Sequence, residues 1–212
     1  MTPLGYIGKR IAERPEWLAA PGVKSIYSVS NCISSDFADY VPFWQHNGFW
    51  LFDHPGIITH LCVDNSIEMT GLRYLYLESD LVQYDTEKRR WLDFLPEPSF
   101  ETDVKKPIGA RLIGFDVVTF FCGNTPEHSP LSCNHIASLI PVNEFCLIDN
   151  SEDARDHIER GVFANSEPGP IRIIAVHEIE IGTNNGIGIG AGFRRTPPTP
   201  PNMRVRIRRF DY

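Results

Sequence analysis

The chain has 212 residues, 42% hydrophobic and 22% charged, the balance of a folded globular protein and not of a disordered one. Its net charge of −7 is uneven: six arginines against Asp211 alone give residues 194–212 a charge of +5, leaving −12 for residues 1–193. An acidic body disfavours nucleic acid and attracts basic proteins, and no charge-free apolar run approaches the roughly 20 residues that span a bilayer.

No apolar leader segment follows residues 1–10. The five cysteines (Cys32, Cys62, Cys122, Cys133, Cys146) are odd in number and contain no Cys-x-x-Cys pair. The expectation is a cytoplasmic protein with reduced thiols, no disulfide framework, no metal site and no cofactor.

In chain order, residues 25–30 alternate like a short strand, and Ser34 or Ser35 can cap a helix whose Phe37, Tyr40, Val41 and Trp44 share one face, with a kink at Pro42. Gly48 ends that helix, and Pro55 suits the first turn of another through Ile57, Ile58, Leu61 and Cys62. Phe43, Trp44, Phe49, Trp50 and Phe52 crowd ten residues. They read as core packing or as a partner patch, with Trp44 and Trp50 as binding candidates. Residues 72–84 predict a strand, 85–89 a polar turn and 90–94 the returning strand of a hairpin. The proline- and charge-rich segment 95–109 is the one candidate internal boundary.

Two runs, 112–122 and 171–176, are apolar enough to be buried on both faces, with Asp116 and Thr119 the polar exceptions in the first. Between them the pattern predicts a helix over 130–140, a short strand at 145–148, and a helix capped by Asn150 or Ser151 that stops at Gly161. These elements predict a single α+β (or mixed α/β) domain over 1–181, with a central sheet, flanking helices and a β-hairpin. A Gly/Pro-rich linker (182–202) and a basic strand or arm (203–212) follow.

Gly186, Gly188 and Ala191 fit the G-x-G-x-x-[GA] dinucleotide pattern, but the proline run that follows cannot start the helix that pattern needs. Arg204, Arg206 and Arg208 share one face of the terminal strand. They suit a charge-guarded edge or a contact with a partner or a second copy.

Residues 123–135 hold the densest chemistry. A thiol near a helix start has a lowered pKa, so Cys133 with His128 or His135 as base, oriented by Glu127 or Asn134, is a candidate nucleophile site. On the alternative register Ser129 is an N-cap and Pro130 the first helical residue. Cys133 then joins Ile136, Ala137 and Ile140 on the inner face, and the loop, with Asn124, Ser129 and Asn134, is a polar binding surface. With no complete catalytic motif and an acidic body, the expected function is a protein-binding module of the immunity type, an inhibitor of a basic bacterial toxin or effector. The alternative is a small hydrolase or transferase using Glu127, His128, Cys133 and His135.

Overall fold

The β-branched and aromatic runs form the strands of the computed structural model, which describes residues 1–33, 47–98, 101–121 and 126–180. Six of them, β1 (Thr2–Arg10), β4 (Leu72–Ser79), β5 (Val82–Asp85), β6 (Arg90–Asp93), β7 (Arg111–Thr119) and β8 (Ile171–Ile179), make one antiparallel sheet. A separate short ladder joins β2 (Ala12–Glu13) to β3 (Ser25–Ile26). With helices α1 (Pro55–Asp64), α2 (Pro130–Cys133) and α3 (Ser151–Glu159), the fold is mixed α+β. In the sheet β8 is central: β7 runs along one side, and β4 and then β5 along the other.

Several expectations change in detail. The strand foreseen over 72–84 is interrupted at Asp80 and Leu81, and the 145–148 segment makes only a single bridge, Phe115 with Ile148. The helix foreseen over 130–140 stops after one turn. His135 takes a left-handed conformation (φ 61°) and a 3-10 turn, Ile136–Ser138, follows. The foreseen arm and linker, with Arg204, Arg206 and Arg208, lie outside the described residues, as do Trp44 and Asn124.

The sheet is built from two copies of one plan. In β1 and in β7 a bulge falls at a glycine of positive φ, Gly5 (144°) and Gly114 (143°). Over each glycine passes an Asn-x-Phe-x-Leu-x-Asp segment, residues 47–53 and 143–149. Asn47 Nδ2 donates to Leu4 O (2.8 Å) while its Oδ1 accepts from Phe49 N and Leu51 N. Asn143 does the same to Ile113 O (2.8 Å), Phe145 N and Leu147 N. Trp50 and Cys146 occupy the same step of the two segments, and both have positive φ (60° and 64°).

Each segment runs into a helix whose N-cap side chain closes its first turn, His54 on α1 and Asn150 on α3. Each helix then leads to a strand, β4 or β8. The helices bury matching positions, Ile58 and Cys62 of α1 against Tyr6 and Tyr76, and Ala154 and Ile158 of α3 against Phe115 and Ala175. On the other face, Leu4, Leu51, Leu75 and Leu77 of the first half meet Ile113, Leu147, Ile174 and Val176 of the second in one shared core. Between bulged strand and Asn segment each half carries an insertion, and the site described next lies where these two insertions meet.

Candidate functional site

Asp116 projects from β7 into this junction and is 1% exposed. Its Oδ2 accepts from Val29 N (2.8 Å) in the first insertion and from Ser129 Oγ (2.6 Å) in the second. Ser129 Oγ in turn accepts from Ser30 N (3.2 Å), and the buried Lys9 ammonium of β1 donates to Ser30 O (2.7 Å). Burial pushes the Asp116 carboxyl up to about 6, against the opposing pull of the Ser129, Val29 and Val117 donors and the Lys9 charge. One buried carboxylate therefore ties together two loops that are about a hundred residues apart in sequence.

A second tie fixes the 126–129 loop to the end of β7. Thr119 N donates to His128 O (2.9 Å), Glu127 N to Thr119 O (3.1 Å), and Phe121 N to Glu127 Oε2 (3.1 Å).

The result is a cluster of soft donors at the surface. Cys32 Sγ lies 3.3 Å from His128 Nδ1 and 3.4 Å from Glu127 O, and Ser30 Oγ donates to it at 3.2 Å. Cys133, at the end of α2, is joined to Cys32 as a disulfide, with the two Cα atoms 6.1 Å apart, and its Sγ is 3.9 Å from Ser132 Oγ. The ligand atoms of Cys32, His128 and Cys133 all lie within 4.8 Å of one another. This pairing corrects the expectation of reduced thiols throughout. Cys62 and Cys146 are buried and free, and burial, with the Asp116 charge adding to it, pushes the Cys146 thiol up to about 12.

Of the residues singled out from sequence, the fold brings Cys133 and His128 together, and it does so through Cys32. His135 turns away and sets its ring edge-on to Trp17, with centroids 4.8 Å apart. The Glu127 carboxylate holds the Phe121 amide. Ser129 stands at the N-cap of α2 but makes no cap hydrogen bond, because its hydroxyl faces Asp116. Asn134 ends α2, and its Oδ1 is buried with no hydrogen-bond partner among the described residues. Trp50 is half-buried in the first Asn segment.

Sequence reasoning missed Cys32, Lys9 and the role of Asp116. The available signal was a lone carboxylate in a run apolar on both faces. It missed two further buried groups in the sheet. Arg172 is stacked between Phe94 (3.3 Å from guanidinium carbon to ring centre) and Phe120 (3.9 Å), its guanidinium donates to Gln83, and its pKa is lowered to about 9 by burial. His177 Nε2 is 3.4 Å from Glu78 Oε2, which also accepts from Lys106 Nζ (2.9 Å), and burial holds the imidazole below its ordinary value despite that carboxylate. Comparison with protein-family models, with curated proteins and with solved structures gives no match for this chain.

Proposed function

We propose that this protein works by binding another protein, as an acidic immunity-type inhibitor of a basic toxin or effector. The recognition face is the loop surface around Cys32, His128 and Cys133. The observation that carries the reading is that these loops are fixed by Asp116 beneath and by the Cys32–Cys133 link above, while two flanking aromatics stay exposed, Trp17 (49%) and Phe121 (65%). Exposed aromatics on preorganised loops are what binding hot spots consist of, because little conformational entropy is lost on docking. The charge of −12 over residues 1–193 selects for a basic partner and speeds its approach.

The alternative, hydrolysis or group transfer, has less support. Cys133 is bonded to Cys32, and Glu127 and His135 are engaged with Phe121 and Trp17.

The test is titration calorimetry against basic proteins encoded beside this one. Trp17→Ala and Phe121→Ala are expected to weaken binding at least about tenfold each, Val63→Ala on exposed α1 to leave it unchanged, and added salt to slow association. Equal affinity in all three variants, or no binding at low salt, removes the reading.

A further inference from the structure

We infer that Cys32, His128 and Cys133 form a site for a thiophilic divalent cation, with zinc the reference case, which the reduced protein holds in place of the Cys32–Cys133 bond. Two thiolates and one imidazole are a soft donor set suited to zinc, and three protein ligands leave a fourth tetrahedral position for water. The three donors already lie within 4.8 Å of one another. A disulfide holds its sulfurs about 2.05 Å apart and a tetrahedral zinc roughly 3.8 Å apart, so each sulfur need retreat only by roughly 0.9 Å.

The surroundings suit a metal-bound thiolate as well. Ser30 Oγ donates to Cys32 Sγ at 3.2 Å, and Ser132 Oγ sits 3.9 Å from Cys133 Sγ, so each sulfur has a neighbouring hydroxyl of the kind that tunes metal-bound sulfur. The loops carrying the donors are fixed by the Asp116 hydrogen bonds to Val29 N and Ser129 Oγ, which involve neither sulfur, so they persist when the disulfide opens. Cys32 is exposed, which admits both a metal and a small oxidant.

The exchange balances with a low-molecular-weight disulfide as oxidant. The Cys32 thiolate attacks one of its sulfurs, forming a mixed disulfide and releasing one small thiolate. The Cys133 thiolate then displaces the second, closing Cys32–Cys133. Two zinc-bound protein thiolates become one disulfide, the small disulfide becomes two thiolates that take up protons from water, and zinc departs to water.

The experiment loads reduced full-length protein with zinc, removes the excess by gel filtration and measures metal per chain, before and after oxidation by glutathione disulfide. One zinc per reduced chain and none per oxidised chain is the expected result. Cys32→Ser, Cys133→Ser and His128→Ala should each weaken competition with a chromogenic chelator at least about tenfold, the scale at which even outer-shell partners act. Cys62→Ser, Cys122→Ser and Cys146→Ser should not. Because a serine variant can fail to fold, the wild-type protein supplies a second readout: zinc should slow alkylation of Cys32 and Cys133, mapped by mass spectrometry, and leave Cys122 unchanged. No zinc on the reduced chain, equal zinc on Cys32→Ser and Cys133→Ser, or protection of Cys122 in their stead overturns the inference.

Discussion

Leu77 of β4 lies directly opposite Val176 of β8, and each is the other's counterpart in the two halves of the molecule. The equivalence follows from register: Gly5 pairs with Leu77 at the first bulge and Gly114 with Val176 at the second. A pseudo-twofold axis therefore passes through this pair, and the sheet β1-β4-β8-β7 is arranged like a small symmetric dimer within one chain. Residues at the axis face their own equivalents, so Glu78 meets its counterpart His177 at 3.4 Å. Away from the axis the halves diverge. The position of Asp116 is Ile7 in the first half, and that of Lys9 is Val118 in the second. The two buried charged groups of the candidate site thus arise where the symmetry is broken.

The bulge glycines give the first prediction. A Cβ on Gly5 would lie 2.6 Å from Leu51 Cβ, and one on Gly114 2.6 Å from Leu147 Cβ, both with positive φ. Each alanine substitution should destabilise by more than about 3 kcal/mol in urea unfolding, since neither clash has a flexible partner to give way. Gly161→Ala, at φ 79° with nothing within 4 Å of the new Cβ, should cost only about 1 kcal/mol. Similar losses at all three positions would contradict the packing role given to the bulges.

Local signals made part of this fold legible. Pro55, the Asn150 cap with its acidic first turn, and the 85–89 turn mark two helices and a hairpin that form as read. The repeat escaped because its parts are offset unequally: 109 residues between Gly5 and Gly114, 96 between Asn47 and Asn143, 99 between Leu77 and Val176. No single period aligns them, although Asn-x-Phe-x-Leu-x-Asp stands twice in the chain. The early end of α2 was illegible for another reason, since it comes where His135 takes a left-handed conformation (φ 61°), at a position with neither glycine nor proline to signal it. Cys32 and Cys133, 101 residues apart, carry no spacing signal for either a disulfide or a metal.

Asp116 predicts a pH dependence. Its folded carboxyl is raised from an ordinary 3.8 to about 6, so the folded state binds the proton more tightly than the unfolded state does. Protonation therefore favours folding, and this group's contribution declines as pH climbs from about 4 to about 6, by up to about 3 kcal/mol. Asp116→Asn, neutral at every pH, should gain on wild type by that amount between pH 4 and pH 7 in urea midpoints converted to free energy. A constant difference between the two proteins across that range would rule out the carboxylate as the source.

Arg172 is a buried cation with Gln83 as its hydrogen-bond partner, whereas its counterpart Arg73 is exposed and lies 3.9 Å from Glu178. Its value to the fold lies in the stem and the stacking between Phe94 and Phe120, not in the charge. Arg172→Met should cost under about 1 kcal/mol, while Arg172→Ala, which opens a cavity between the rings, should cost about 2–4 kcal/mol. Thermal unfolding of both variants checks this, and an equal loss in each would mean that the charge itself matters.

The Cys32–Cys133 link closes a loop of about a hundred residues between the two insertions, so its effect on the unfolded chain should be large. Reduction should lower stability by about 2–4 kcal/mol, and Cys32→Ser or Cys133→Ser should do the same under non-reducing conditions. The double variant should be no less stable than either single one, because the first substitution already removes the bond. Once a variant lacks the link, a reductant should have no further effect on its midpoint. The metal-free reduced protein should keep its fold, since Asp116 continues to hold Val29 and Ser129 together. Near-ultraviolet circular dichroism at matched temperatures measures that directly: retention of the native spectrum on reduction separates a link that reinforces the junction from one on which the whole junction depends.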